Sequence, residues 1–218
     1  SLGQPVTDQN FVVTPLSSIM NSYDGSTDYD TFKTKLGLDS DYMIRFNDPF
    51  SNLGNSSLNK AAVVNTQIVI MKDIISEVGS FTGSDAEKYL ASQIISRTGD
   101  ETSLGDTTWT KNAITTLGNS NDAFSPSSEQ LVSLSAGISA FMQKINANDS
   151  SKSHSHFAKA GMTELKDLMK KVMDGTADSA EIDKLTFNTI AWINENTSWD
   201  GGTITDNESE LITTTYKL

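Results

Sequence analysis

Residues 56–79 read SSLNKAAVVNTQIVIMKDIISEVG. Ala61, Val64, Ile68, Met71, Ile75 and Val78 recur at steps of three or four, which lays one apolar stripe along an α-helix, whereas a half-buried strand would alternate. Ser56 or Ser57 can cap the start, because a hydroxyl accepts hydrogen bonds from the free amides of a first turn. Gly79 stands where the residue after a helix is expected. A helix of this length and apolar content needs other helices to cover it, so this stretch predicts a bundle.

The same reasoning extends outward in both directions. Downstream, Ser125 is a candidate cap, Pro126 suits a first helical position, and Leu131, Leu134, Ile138, Phe141 and Ile145 form a stripe; Ser128 or Glu129 can reach back as capping partner. Shorter helices are predicted from Pro15 to about Tyr23 after Thr14, from Tyr29 to Leu36 before Gly37, and from Ser84 to Arg97 before Gly99. Others are predicted from Thr107 to Leu117 before Gly118, from Met162 to Met173 near Gly175, and from Ser179 to about Asn194. The last two read as a hairpin, with Leu165, Met169 and Val172 facing Ile182, Leu185 and Ile190. Phe11-Val12-Val13 and Leu211 to Thr215 are short β-prone ends that read as extended tails towards neighbouring domains. The expected fold class is all-α, an irregular bundle of about seven or eight helices. One core over 1–218 is expected; the Ser/Asn-rich segment from Asn146 to Ser155 reads as a joint that would divide a main bundle (11–147) from a C-terminal hairpin (156–200) and a tail (201–218).

Composition excludes several functions. Sixteen Lys+Arg against 28 Asp+Glu give a formal charge of −12, which repels nucleic-acid phosphates and anionic membrane surfaces. The absence of cysteine removes disulfides, thiolate nucleophiles and Cys-type zinc or iron–sulfur sites. No apolar run approaches the ~20 residues that span a bilayer, so membrane insertion is not expected. The 29 Ser and 24 Thr build a polar face from hydroxyls rather than cations, a pattern common in secreted or salt-exposed bacterial proteins. The chain begins at Ser1 without an apolar leader, so a processed protein or a piece of a longer one is expected.

Few groupings could carry chemistry. Asp24, Asp28 and Asp30 set oxygens at alternate positions around a turn, as a calcium loop does, although the EF-hand spacing is absent and a polar loop capping the next helix accounts for the same residues. Asp174 to Leu185 departs further from that spacing and reads as an interhelical turn. His154 and His156, the only histidines, would project to one side of an extended loop and offer a transition metal two nitrogens; two solvated loop histidines are the plainer reading. Neither a Gly-x-Ser-x-Gly elbow nor a phosphate-binding glycine loop occurs. The acids Glu164, Asp167, Glu181 and Asp183 read as a solvated face rather than a glycosidase pair. Among the tryptophans, Trp192 reads as core, while Trp199 with Asp200 lies in a loop where an exposed ring could meet a glycan.

Val12-Val13-Thr14-Pro15-Leu16-Ser17-Ser18-Ile19-Met20, then Lys35-Leu36-Gly37-Leu38, Phe46-Asn47-Asp48-Pro49-Phe50 and the helix opening Lys60-Ala61-Ala62-Val63-Val64-Asn65 together resemble a helical module of very large secreted bacterial surface proteins. That module starts with a Thr-Pro-Leu-Thr-Thr-Leu pattern and often accompanies cadherin-like or RTX calcium repeats. The resemblance covers roughly residues 11–79 and departs at Ser17-Ser18, where the pattern has threonines. It implies an extracellular or cell-surface location, neighbouring domains in a longer chain, and no catalytic residues. The expected function is therefore a non-enzymatic structural, anchoring or adhesive domain, with no cofactor unless calcium is bound. The alternative is a carbohydrate- or calcium-binding module using Trp199 and Asp200, with a surface glycan or protein as partner. A hydrolase is a distant third.

Overall fold

A computed structural model describes residues 14–23, 29–38, 48–97, 104–118, 126–146 and 151–196. The described residues are helical with short connections and contain no strand. The helices are α1 (Pro15–Ser22), α2 (Tyr29–Leu36), α3 (Ser56–Gly79), α4 (Gly83–Ile95), α5 (Thr107–Gly118) and α6 (Ser128–Asn146). A long helix follows as α7 (Ser151–Ala160), a π-helical turn (Gly161–Leu165) and α8 (Lys166–Met173); α9 (Ser179–Phe187) and α10 (Thr189–Asn196) complete the described chain. The β-prone ends at 11–13 and 211–215 lie outside the described residues.

The decisive stretch is a helix, but its burial exceeds one stripe. Besides Ala61, Val64, Ile68, Met71, Ile75 and Val78, the residues Ala62, Val63, Ile70 and Ile74 are buried, so apolar side chains face protein on nearly every side. Helices apolar all round are central ones. Accordingly α3 packs against α1, α4, α5, α6, α7, the π turn and α8. Its start is one residue earlier than the serines suggest: Asn55 Oδ1 accepts from Ser57 N and Leu58 N. Its end differs too. Ser80, not Gly79, takes the left-handed conformation (φ 53°), while Phe81 N donates to Ser76 O at 3.0 Å. Gly79 is needed for closeness: a Cβ there would lie 2.8 Å from the Phe81 ring and 3.1 Å from Leu117.

Local signals set the remaining starts. Thr14 caps α1 in a reciprocal box with Ser17, with Pro15 in the first turn, as its sequence predicts. The cap of α6 is shifted from Ser125 to Ser127, whose amide donates to Gln130 Oε1 (3.0 Å) and whose Oγ accepts from Gln130 N (3.2 Å); Ser125 lies outside the described residues. Asp178 caps α9 through Ala180 N. Lys35 Nζ donates to Arg97 O and Arg97 Nη1 to Lys35 O, so the ends of α2 and α4 clasp each other.

Two expected relationships are corrected. The joint proposed for 146–155 is largely helix, since α7 begins at Ser151 and buries His154, His156 and Phe157; only 147–150 lie outside the described residues. The C-terminal hairpin is not a closed pair either. α9 packs chiefly on α6, and α8 on α3, because Gly137 lets α6 approach Leu185 closely while Leu165, Leu168 and Met169 turn towards the central helix. Lys171 and Glu181 still bridge the turn at 3.1 Å. Asn188 interrupts the helix predicted from Ser179 to Asn194, with φ −144° and ψ 55°. The buried apolar residues form one contiguous cluster from Leu16 to Ile193, in which Phe141 meets Phe157 and Trp192 edge-on at 5.6 and 6.3 Å.

Candidate functional site

A cleft of about 420 Å³ lies between the start of α1, the turn before α3, the middle of α3 and the α7–π segment. Its walls are largely apolar: Pro15, Pro49, Phe50, Val69, Ala158 and Met162, with Thr14, Asp48, Asn65, Thr66 and His154 supplying polar atoms. A second hollow of about 310 Å³ shares Thr14, Pro15, Val69 and Met162 and continues towards Lys72, Asp73 and Glu87. The charges at that end are already paired, Lys72 with Glu87 at 3.0 Å and Asp73 with Lys166 at 3.3 Å.

Three local devices build the cleft. Asn65 is buried in α3; its Oδ1 accepts from Leu16 N at 2.9 Å and its Nδ2 donates to Ala61 O at 2.8 Å, which pins the first turn of α1 beside α3. Asp48 Oδ1 accepts from Phe50 N (2.9 Å) and Asp48 O from Ser51 N (3.1 Å), closing a tight turn that sets Phe50 edge-on to His154, ring centroids 5.7 Å apart. Opposite, Gly161 opens the π turn against α3: a Cβ built on it would lie 2.6 Å from Ile70 Cγ1 and Cγ2. Single π turns inside helices recur at functional sites.

His154 is one of the polar residues that line the cleft. Its Nδ1 lies 3.1 Å from Thr66 Oγ1. Thr66 Oγ1 also reaches Ala62 O at 2.9 Å, and with its proton placed there its oxygen accepts from a His154 ring protonated on Nδ1. A neutral imidazole with its proton on Nδ1 carries a lone pair on Nε2. That nitrogen has no hydrogen-bond partner among the described residues, and the side chain is 1% exposed. Burial also pushes the imidazole pKa down from 6.5 to about 4, so His154 is neutral near pH 7.

The sequence-predicted residues are placed as follows. His154 and His156 are buried in a helix, not solvated in a loop, and two residues of helix separate their directions by about 200°, so they do not face one side as an extended loop would have them. Burial, with a smaller contribution from the Lys159 charge, lowers the His156 pKa to about 4 as well. Asp30 lies exposed in the first turn of α2 and pairs with Lys33 at 2.5 Å. Asp24, Asp28, Trp199 and Asp200 lie outside the described residues. No cluster of three or more His, Asp or Glu able to hold a metal occurs among the described residues, and no helix there is long and apolar enough to cross a membrane. Trp109 is buried, donates from Nε1 to Gln93 O at 3.2 Å and lies under the Arg97 guanidinium at 4.8 Å. The triplet Asn65-Thr66-Gln67, polar within the apolar run from Ala61 to Met71, is a signal that the sequence reading did not use; Gln67 Nε2 reaches Met142 O.

Comparison with protein-family models, with curated proteins and with solved structures finds no match. The roles of these residues therefore rest on geometry alone.

Proposed function

We propose that this chain is a non-enzymatic helical domain of a larger bacterial extracellular or cell-surface protein, acting as a structural, anchoring or adhesive unit between neighbouring domains. The observation that carries this reading is the contiguous apolar core from Leu16 to Ile193, which takes up the stripes of every described helix and leaves a hydroxyl- and carboxylate-rich exterior. The acids beside the principal hollow are engaged structurally: Asp73 and Glu87 in ion pairs, Asp48 in a turn. The resemblance of residues 11–79 to modules of large secreted surface proteins supports the location.

Tryptic shaving of intact cells that make the full-length protein tests this directly. Lys111, Lys170 and Lys171 are exposed cleavage points. Peptides from this domain should be released without lysis, and attachment or adhesion should fall when the domain is deleted; peptides recovered only after lysis would overturn the location.

A further inference from the structure

Sulfur in this chain is confined to seven methionines, because cysteine is absent. A two-electron oxidant such as a hydroperoxide has only thioethers as sulfur targets here, and access decides which of them reacts. Met71, Met142 and Met169 are 0% exposed and Met20 7%, all within the apolar core, whereas Met162 is 40% exposed. Met173 is half-buried at the end of α8, and Met43 lies outside the described residues. Met162 is the second residue of the π turn and lines both hollows, which share Thr14, Pro15 and Val69 with it. The turn is seated by its other residues: Gly161 lies close against Ile70, and Leu165 is fully buried in the core. The Met162 side chain can change without unseating it.

We propose that Met162 is a modification site, at which a hydroperoxide oxidises the folded domain and alters the two hollows while leaving the fold intact. The thioether lone pair attacks the terminal peroxide oxygen, the O–O bond breaks, and the leaving oxygen takes the peroxide proton to become water or an alcohol as the sulfoxide forms. The product is polar where the starting side chain was apolar. The Pro15 and Val69 side chains carry no donor for the new oxygen. It turns to water and draws the side chain away from both hollows, while the core, which contains none of it, stays packed.

Trypsin separates the relevant sulfurs: Ala160–Lys166 contains Met162, Asp167–Lys170 contains Met169, and Ala61–Lys72 contains Met71. With hydrogen peroxide at neutral pH, the first of these peptides from the folded whole chain should gain oxygen at least about tenfold faster than the other two, as exposure dictates. In urea the three rates should converge, because the selectivity comes from the fold. Once Met162 is oxidised, the helical circular dichroism should persist. In protein carrying labelled valine methyl groups, the Val69 resonances should shift, and those of Val78 near the far end of α3 should not. Met162→Leu keeps the apolar bulk without the sulfur, so peroxide should leave its Val69 resonances in place. Similar rates for Met162 and Met169 in the folded chain, rates that stay apart in urea, loss of helical signal on oxidation of Met162, or unmoved Val69 resonances would each overturn the proposal.

Discussion

At the scale of single residues, the informative positions are those where a side chain or a backbone angle departs from its ordinary state. His154 is buried and neutral, with its pKa lowered to about 4, whereas in the unfolded chain it titrates near 6.5. Between those values the unfolded chain binds the proton that the folded one refuses, so stability is intact above pH ~6.5 and falls as pH drops towards ~4, by about 1 kcal/mol per pH unit. His156 acts in the same direction. Urea unfolding at pH ~7, ~6 and ~5 should show that decline, with a shallower slope in His154→Phe; a flat profile would contradict the burial. Ser80 is the second such position. A β-carbon in the left-handed region is strained and glycine is not, and the side chain is exposed, so Ser80→Gly should raise stability by about 0.5–1 kcal/mol in thermal unfolding. Gly79, expected just after the helix, is instead its last residue, because close approach to Phe81 and Leu117 and a positive φ both favour glycine and sequence does not say which is at work.

At the scale of elements, the π turn in the long helix depends on one missing side chain. Gly161→Ala would drive a methyl into Ile70, costing about 1–3 kcal/mol, and Ile70→Val in the same chain should recover part of that loss. Additive effects in the double-mutant cycle would show that the two residues do not meet. Helix existence was legible from punctuation: Thr14-Pro15, Gly37, Gly118 and Gly175 mark ends where the structure has them. α7 was hidden because two of its buried residues are His154 and His156, and histidine reads as polar until its surroundings are known. Partner choice was hidden as well. The stripe of α9 fits α6 or α8 equally on paper, and it is the absence of a side chain at Gly137 that admits Leu185 to α6. The cleft was half legible, since Asn65 and Thr66 stand out in an apolar run, while the turn that brings Phe50 to His154 is a matter of tertiary placement.

At the scale of the molecule, one apolar cluster joins α1 to α10, so melting followed by far-ultraviolet circular dichroism and by tryptophan emission should give coincident single transitions. Two separated transitions would mean that 151–196 unfolds by itself. The all-round burial of α3 also bears on how the chain is made. Most of the helices that sheathe it, α4 to α8, are encoded after it, so a growing polypeptide carries a naked greasy rod of 24 residues until about a hundred more have been synthesised. Ribosomal stalling or truncation soon after Gly79 leaves that rod to chaperones or to aggregation, and the finished protein hides nearly all of the surface that made it vulnerable.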